Sequence, residues 1–367
     1  MIATKLRFAA AAGLLLCASS ALSAATFHIP STPDTVHRGV ISPDFKPVLT
    51  IKSGDIVKID TVSHSGLTQD PAAFFATAGI AAKDVLPDAI AIAHMPKPAP
   101  IPGFKPPKGF GAPGSGHVLT GPIYIDDAEP GDMLEVRILK VTPRVPYGVN
   151  SSGPGGAAPG MIQGKGVQKI IKYDPAKKTV NFADDVHFPM RPFMGIMAVA
   201  DTKPISSKAP GIYGGNMDFE KLQAGATLYL PVLVKGGLFV TGDSHAGQGD
   251  GEVTGNAIEA SMAPTLQFIV HKGEGKGMDM PYAEDAQNYY MLGMDPDLSK
   301  SLAKTIQETV KFMGKKYGLS PVDAYSMCSA IIDFGIAQVV DLNLTTYSKI
   351  PKAYFAKKYP YWKAPAA

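Results

Sequence analysis

Gly121–Val141, GPIYIDDAEPGDMLEVRILKV, is an apolar run that breaks at Pro130-Gly131 and resumes in a second apolar run. Apolar residues at alternate places put one face of a strand on a core, and a Pro-Gly pair turns the chain, so the segment reads as strand, turn, strand. The same order returns twice. Val48–Val62, VLTIKSGDIVKIDTV, alternates around Ser53-Gly54-Asp55 and reads as a β-hairpin; Thr227–Val240, TLYLPVLVKGGLFV, gives another pair about Lys235-Gly236-Gly237. Three such units predict a mainly β fold, sandwich or barrel-like with mixed sheets.

Helix is concentrated in the C-terminal part. Asp297–Tyr317 places Leu298, Leu302, Ile306, Val310 and Met313 on one face and ends at Gly318, which predicts an amphipathic helix docked on the sheets through that face. Ser320 and Pro321 supply the cap and first position of a second helix through Ala330, and Ile331–Leu344 returns to β-like runs. Helices following strands without regular alternation exclude a doubly wound or TIM architecture. Two stretches rich in proline and glycine, Pro96–Gly116 and Pro146–Gly166, read as long loops.

Composition agrees with turn-rich β structure. Of 367 residues, 38 are glycine and 32 proline, and 18% are charged. The net charge of +3 carries no basic cluster, so no nucleic-acid partner is expected. Lys5 and Arg7, the apolar run Phe8–Cys17 and small residues to Ala24 read as a secretory signal over residues 1–24, leaving an exported chain with no membrane span. The remainder, 25–367, is expected to form one catalytic region. Its first part, about 25–200, is β; its second, 201–367, is β with the site loop and the C-terminal helices. Cys328 is then the only thiol and reads as core.

Chemistry concentrates in Val240–Glu259, VTGDSHAGQGDGEVTGNAIE. It sets Asp243, His245, Gln248, Asp250, Glu252 and Glu259 among glycines that let the backbone turn tightly. Upstream lie Gly211–Asp218, GIYGGNMD, and His117–Pro122, HVLTGP. Hard carboxylate oxygens with an imidazole suit a divalent ion, with zinc the expected metal, or acid/base work on water. Asp250 and Glu252 can equally cap turns, and Asn216 with Asp218 can form an Asx-turn. His64, in SHSGLTQDP, reads as exposed-loop material.

In order and spacing these segments, with RPFMGIMAVA from Arg191 and Gln338-Val339-Val340-Asp341, resemble the acetamidase/formamidase family. The resemblance covers nearly all of the mature chain. It implies a mainly β protein with an added α/β portion that hydrolyses small linear amides to carboxylate and ammonia, working as a homo-oligomer, expected to be a dimer. On the matching positions, Asp243, His245 and Asp218 are candidates for metal or water contact, and Glu252 for the general base. His245, Asp250 and His117 join it as catalytic candidates, and Asn216, Gln248 and Tyr213 as substrate contacts. The chain departs from the family's pattern in having Tyr213 where a histidine is usual, and in the Pro96–Gly116 insertion. A non-catalytic binding protein derived from the family is the alternative.

Overall fold

The computed structural model describes residues 24–96 and 116–363. The expected signal segment and nearly all of the Pro96–Gly116 loop lie outside them. The described chain is mostly β, with several sheets.

Two large sheets dominate. The strand Met133–Pro143 runs antiparallel to Met262–His271 over ten partnered positions and to Thr227–Pro231 on its other edge, at the heart of a nine-stranded sheet. The strand Phe239–His245 lies between Val118–Ile125 and Phe193–Ala198 in a six-stranded sheet. Leu134, Val136, Ile138, Leu228 and Leu266 from the first sheet share one buried cluster with Leu119, Ile123, Ile196 and Phe239 from the second. Phe239 and Phe268 meet across the layers, ring centroids 5.0 Å apart. Each such side chain contributes about 1.5–3 kcal/mol by leaving water.

The three strand-turn-strand units are present, but none is a hairpin. Leu49–Ile51 pairs with Val118–Ile125, whereas Ile56–Ile59 pairs with Thr26–Ile29 and Met262–His271 in the other sheet. Val118–Ile125 and Met133–Pro143 likewise belong to different sheets, as do Thr227–Pro231 and Phe239–His245. Each turn therefore carries the chain from one layer to the other. Alternation of apolar residues specifies which face is buried, not which strand lies alongside. Gly236 shows how tight these crossings are: at φ +75° its missing side chain leaves room for Tyr124, whose ring a Cβ would meet at 2.2 Å.

Part of the Pro146–Gly166 stretch is ordered structure. Tyr147–Ser152 is a strand, pairing with Val167–Asp174 in a four-stranded sheet that continues through Thr179–Ala183 and Val186–Pro189. A bridge from Val149 to Glu259 fastens this sheet to the site loop.

The long helix Leu298–Tyr317 is capped by Asp297, which accepts from the Lys300 amide, and ends at Gly318 with φ +72°. Its docked face matches the expected one in part. Met313 is buried, with Ile306 and Val310 packed beside it, while Leu298 and Leu302 remain 36% and 37% exposed. Ser301, Thr305 and Thr309 are buried as well, and their hydroxyls add polar contacts to the sheet: Thr305 meets the Thr346 hydroxyl at 2.6 Å and Thr309 donates to Ser348 at 2.7 Å. Small residues let the helix lie close to the sheet, where a Cβ on Gly293 would fall 2.3 Å from the Ser301 carbonyl. Cys328, in the helix Pro321–Ala330, is buried with Tyr289 and Met313. At the C-terminus Trp362 donates to the Thr227 hydroxyl at 2.7 Å, docking the tail on the nine-stranded sheet.

Candidate active site

Three strands of the six-stranded sheet deliver the first groups to one end. His117 immediately precedes Val118–Ile125, Asp243 and His245 close Phe239–His245, and Asp218 follows Gly214–Asn216. Between them Gly195 keeps the space open: a Cβ there would lie 2.4 Å from Asp218 Oδ1 and 2.7 Å from the Asp243 carbonyl. Glu252 arrives on the glycine loop, held because the Gly251 amide donates to the Ala337 carbonyl and the Val339 amide donates to the Gly251 carbonyl. Asp218, Asp243 and Glu252 all stand at positive φ, +44°, +51° and +44°, a backbone state that non-glycine residues seldom take outside functional sites and turns.

Asp243 is the hub. His64 Nδ1 approaches its Oδ1 at 3.2 Å, and His117 Nε2 and His245 Nε2 approach its Oδ2 at 3.6 and 3.7 Å. Glu259 faces His245 at 3.4 Å and His64 at 3.8 Å. Asp341 lies beyond, accepting from Asn216 Nδ2 at 2.5 Å.

The orientation of two imidazoles follows from their outer partners. Gln248 spends its amide nitrogen on the carbonyls of Asp218 and Ala337, so its Oε1 is left to accept from His245 Nδ1 at 3.0 Å. His245 Nε2 then faces the cluster. His117 Nδ1 meets the Ser207 hydroxyl at 2.9 Å, which likewise turns Nε2 inward. Such outer contacts fix the tautomer of a histidine that binds a metal or moves a proton.

Burial and mutual charge set the protonation. Burial, reinforced by Glu252 and Asp341, raises Asp218 well above the usual carboxylate range. Burial also raises Glu252, with His245 opposing and Asp341 and Glu259 adding to it, and burial raises Asp341. Asp243 goes the other way: burial pushes it up, but His117, His245 and His64 outweigh that and hold it well below the usual range. Burial works against the protonated forms of His245 and His64, yet Glu259 and Asp243 overcome it and raise both. His117 is pushed down to about 3 by burial, so its imidazole is neutral.

The donor set fits a divalent cation. Asp218 Oδ1 and Oδ2, Asp243 Oδ1, His245 Nε2, Glu259 Oε2 and His64 Nδ1 are buried without a hydrogen bond, a costly state for so many polar atoms unless something positive satisfies them. Asp218, Asp243 and His245 form one set whose ligand atoms all lie within 4.8 Å of one another; His64, His117 and Asp243 form a second. Further sets join His245 with Glu252 and Glu259, and Asp218 with Glu252 and Asp341.

Of the residues expected from the sequence, Asp218, Asp243, His245, Glu252 and His117 come together. Asn216 borders them, its Oδ1 buried without a hydrogen bond. Gln248 is present but both ends of its amide are engaged, so it positions His245. Asp250 stands apart: its side chain is 40% exposed, accepts from the Tyr347 hydroxyl at 2.6 Å and pairs with Lys221. Tyr213 is also outside the cluster, its hydroxyl donating to the Ala209 carbonyl at 2.6 Å. His64, Glu259 and Asp341 join the site without having been assigned roles. Glu259 ends the glycine-rich segment and Asp341 the Gln338–Asp341 motif, so their positions were visible although their direction was not.

Comparison with known proteins identifies the fold and the family. Residues 114–210 and 209–357 match the acetamidase/formamidase family. A putative formamidase of Schizosaccharomyces pombe is 26% identical over 278 residues, 59% of this chain and 67% of that protein. Among solved structures, an acetamidase from Yersinia enterocolitica superposes with a TM-score of 0.74 at 24% identity, covering 93% of this chain and 96% of that one. A predicted acetamidase/formamidase from Thermoanaerobacter tengcongensis gives 0.73 at 24% identity, covering 90% and 97%. At these identities the structural likeness establishes the fold, and the match along two thirds of the sequence establishes the kinship. By that match the chain belongs to the acetamidase/formamidase family, whose members point to amide hydrolysis.

Proposed function

We propose that this protein hydrolyses the C–N bond of primary linear amides to a carboxylate and ammonia, with Glu252 as general base on water. The observation that carries this reading is the buried cluster of Asp218, Asp243, His245 and Glu252, the first three with polar atoms that lack a hydrogen bond. Glu252 takes a proton from water as the oxygen attacks the carbonyl carbon. It then hands that proton to the nitrogen as the C–N bond breaks, so one base serves both halves of the reaction. Asn216, whose Nδ2 is committed to Asp341, offers Oδ1 to an amide N–H of the substrate. Gln248 and Ser207 hold His245 and His117 in their inward orientation.

Asp218, Asp243 and His245 are the residues we assign to a divalent cation, zinc by donor type. When bound, such an ion supplies a more acidic water and a positive charge beside the developing oxyanion. Ammonia release from acetamide and formamide, measured before and after chelation and after zinc is restored, tests the reading. Loss on chelation and recovery with zinc are expected. Full activity in chelator with no bound ion would remove the metal, and no turnover of any short amide would favour a non-catalytic binding protein.

The proposal includes export, supported by Lys5, Arg7 and the apolar run Phe8–Cys17, and self-association as a dimer through the exposed apolar side chains of the two C-terminal helices, Leu298, Leu302, Val322 and Tyr325. No helix among the described residues is long and apolar enough to cross a membrane. Cell fractionation and light scattering check these two points; a cytoplasmic or monomeric protein counts against them.

A further inference from the structure

Beside Glu252 opens a chamber of about 510 Å³, within the range of small-molecule sites and larger than an acetyl group can fill. Its floor is the site loop from Gly247 to Ile258, and Glu252 and Gln248 are the residues it shares with the candidate site. Its opposite wall is Phe182, Val186 and Phe188 of the four-stranded sheet. Phe188 lies close over the floor, its ring 3.6 Å from where a Cβ on Gly247 would stand, and 6.2 Å from the Phe182 ring.

Polar groups around the chamber are already engaged. Arg191 donates through Nη2 to the Gln248 carbonyl at 2.8 Å and faces Glu220 at 3.3 Å. Asn150 donates to the carbonyls of Asn256 and Ala257 at 3.2 and 2.8 Å. Asp250 is held by Tyr347 and Lys221. Much of the remaining lining is apolar, down to Val186 and Val253, which are exposed at 47% and 59%. A neutral hydrocarbon group would cover side chains now in water.

We infer that this chamber is the acyl-side subsite, and that the preferred substrates are primary amides bearing an aryl or medium-length alkyl group. The inference rests on the amide-hydrolysis reading. The carboxamide sits at Glu252, and the hydrocarbon portion lies between the Gly247–Ile258 floor and the Phe182–Phe188 wall. The departing ammonia needs no room on that side.

The test compares kcat/KM for acetamide, hexanamide and phenylacetamide in the wild type, Phe188→Ala and Val186→Asp. A hydrophobic pocket discriminates by about tenfold or more per well-packed group, so phenylacetamide should exceed acetamide by at least that factor. Phe188→Ala and Val186→Asp should each erase most of this ratio while acetamide turnover stays within about twofold of wild type, because both lie on the wall away from the reacting atoms. Wild-type preference for acetamide, or an unchanged ratio in both variants, overturns the subsite while leaving amide hydrolysis intact. Should no amide turn over, the hydrolase reading falls separately. Calorimetric binding of phenylacetamide, tighter than acetamide and weakened by Phe188→Ala, would then sustain the subsite; equal binding would end it.

Discussion

Asp243→Asn is expected to lower amide turnover by about 10²–10⁴-fold or more and to abolish stoichiometric zinc binding, with the chain still folded. Among the described residues no other carboxylate is approached by three imidazoles, and the substitution keeps the shape while removing the charge. Its thermodynamic signature is specific. Asp243 is held below the usual carboxylate range and so contributes stability above about pH 4, lost as pH falls through its folded value. His64 and His245 are raised, so their share is present below about pH 6.5 and lost as pH rises through their folded values. Melting in chelator should therefore show the largest deficit for Asp243→Asn between those limits, shrinking at alkaline pH as the histidines lose their protons. A pH-independent deficit would mean that the network contributes no linked protons.

The second large effect belongs to Glu252→Gln. Loss of the base should reduce kcat by about 10²–10⁴-fold with little change in KM. Stability moves in the opposite direction. Because burial raises Glu252, the protein holds its stability below the ordinary carboxylate pKa and loses it as pH rises through the raised one. The glutamine variant, free of that ionisation, should melt higher than wild type in chelator at neutral pH and equal to it in acid. Retention of more than about a tenth of wild-type kcat would remove Glu252 as the base.

The kinds of element, and most of the site, were legible in the sequence; the pairing of elements was not. Alternation in Val48–Val62 identified both strands, yet nothing in it distinguishes a hairpin from a crossing between layers, because both bury the same face. The long helix misled for a related reason. Its apolar stripe is real, but Ser301, Thr305 and Thr309 recur every fourth residue as well, and hydroxyls that satisfy one another against Thr346 and Ser348 dock as closely as leucines. His64 lay almost 180 residues from Asp243 and Asp341 almost 100 beyond it, as their numbers show, and only the sheet topology brings them to one point. Tyr213 and Asp250 had motif position in their favour, but each hydroxyl or carboxyl is consumed by a local partner.

The left-handed backbone at Asp218 and Asp243 also shapes what mutation can do to this protein. Asparagine is the side chain closest to aspartate in tolerating that conformation, whereas most other replacements bring strain. Fold and chemistry are therefore separable at these two positions by a single step. A lineage that lost turnover through asparagine at either place would keep its backbone scaffold and its apolar chamber.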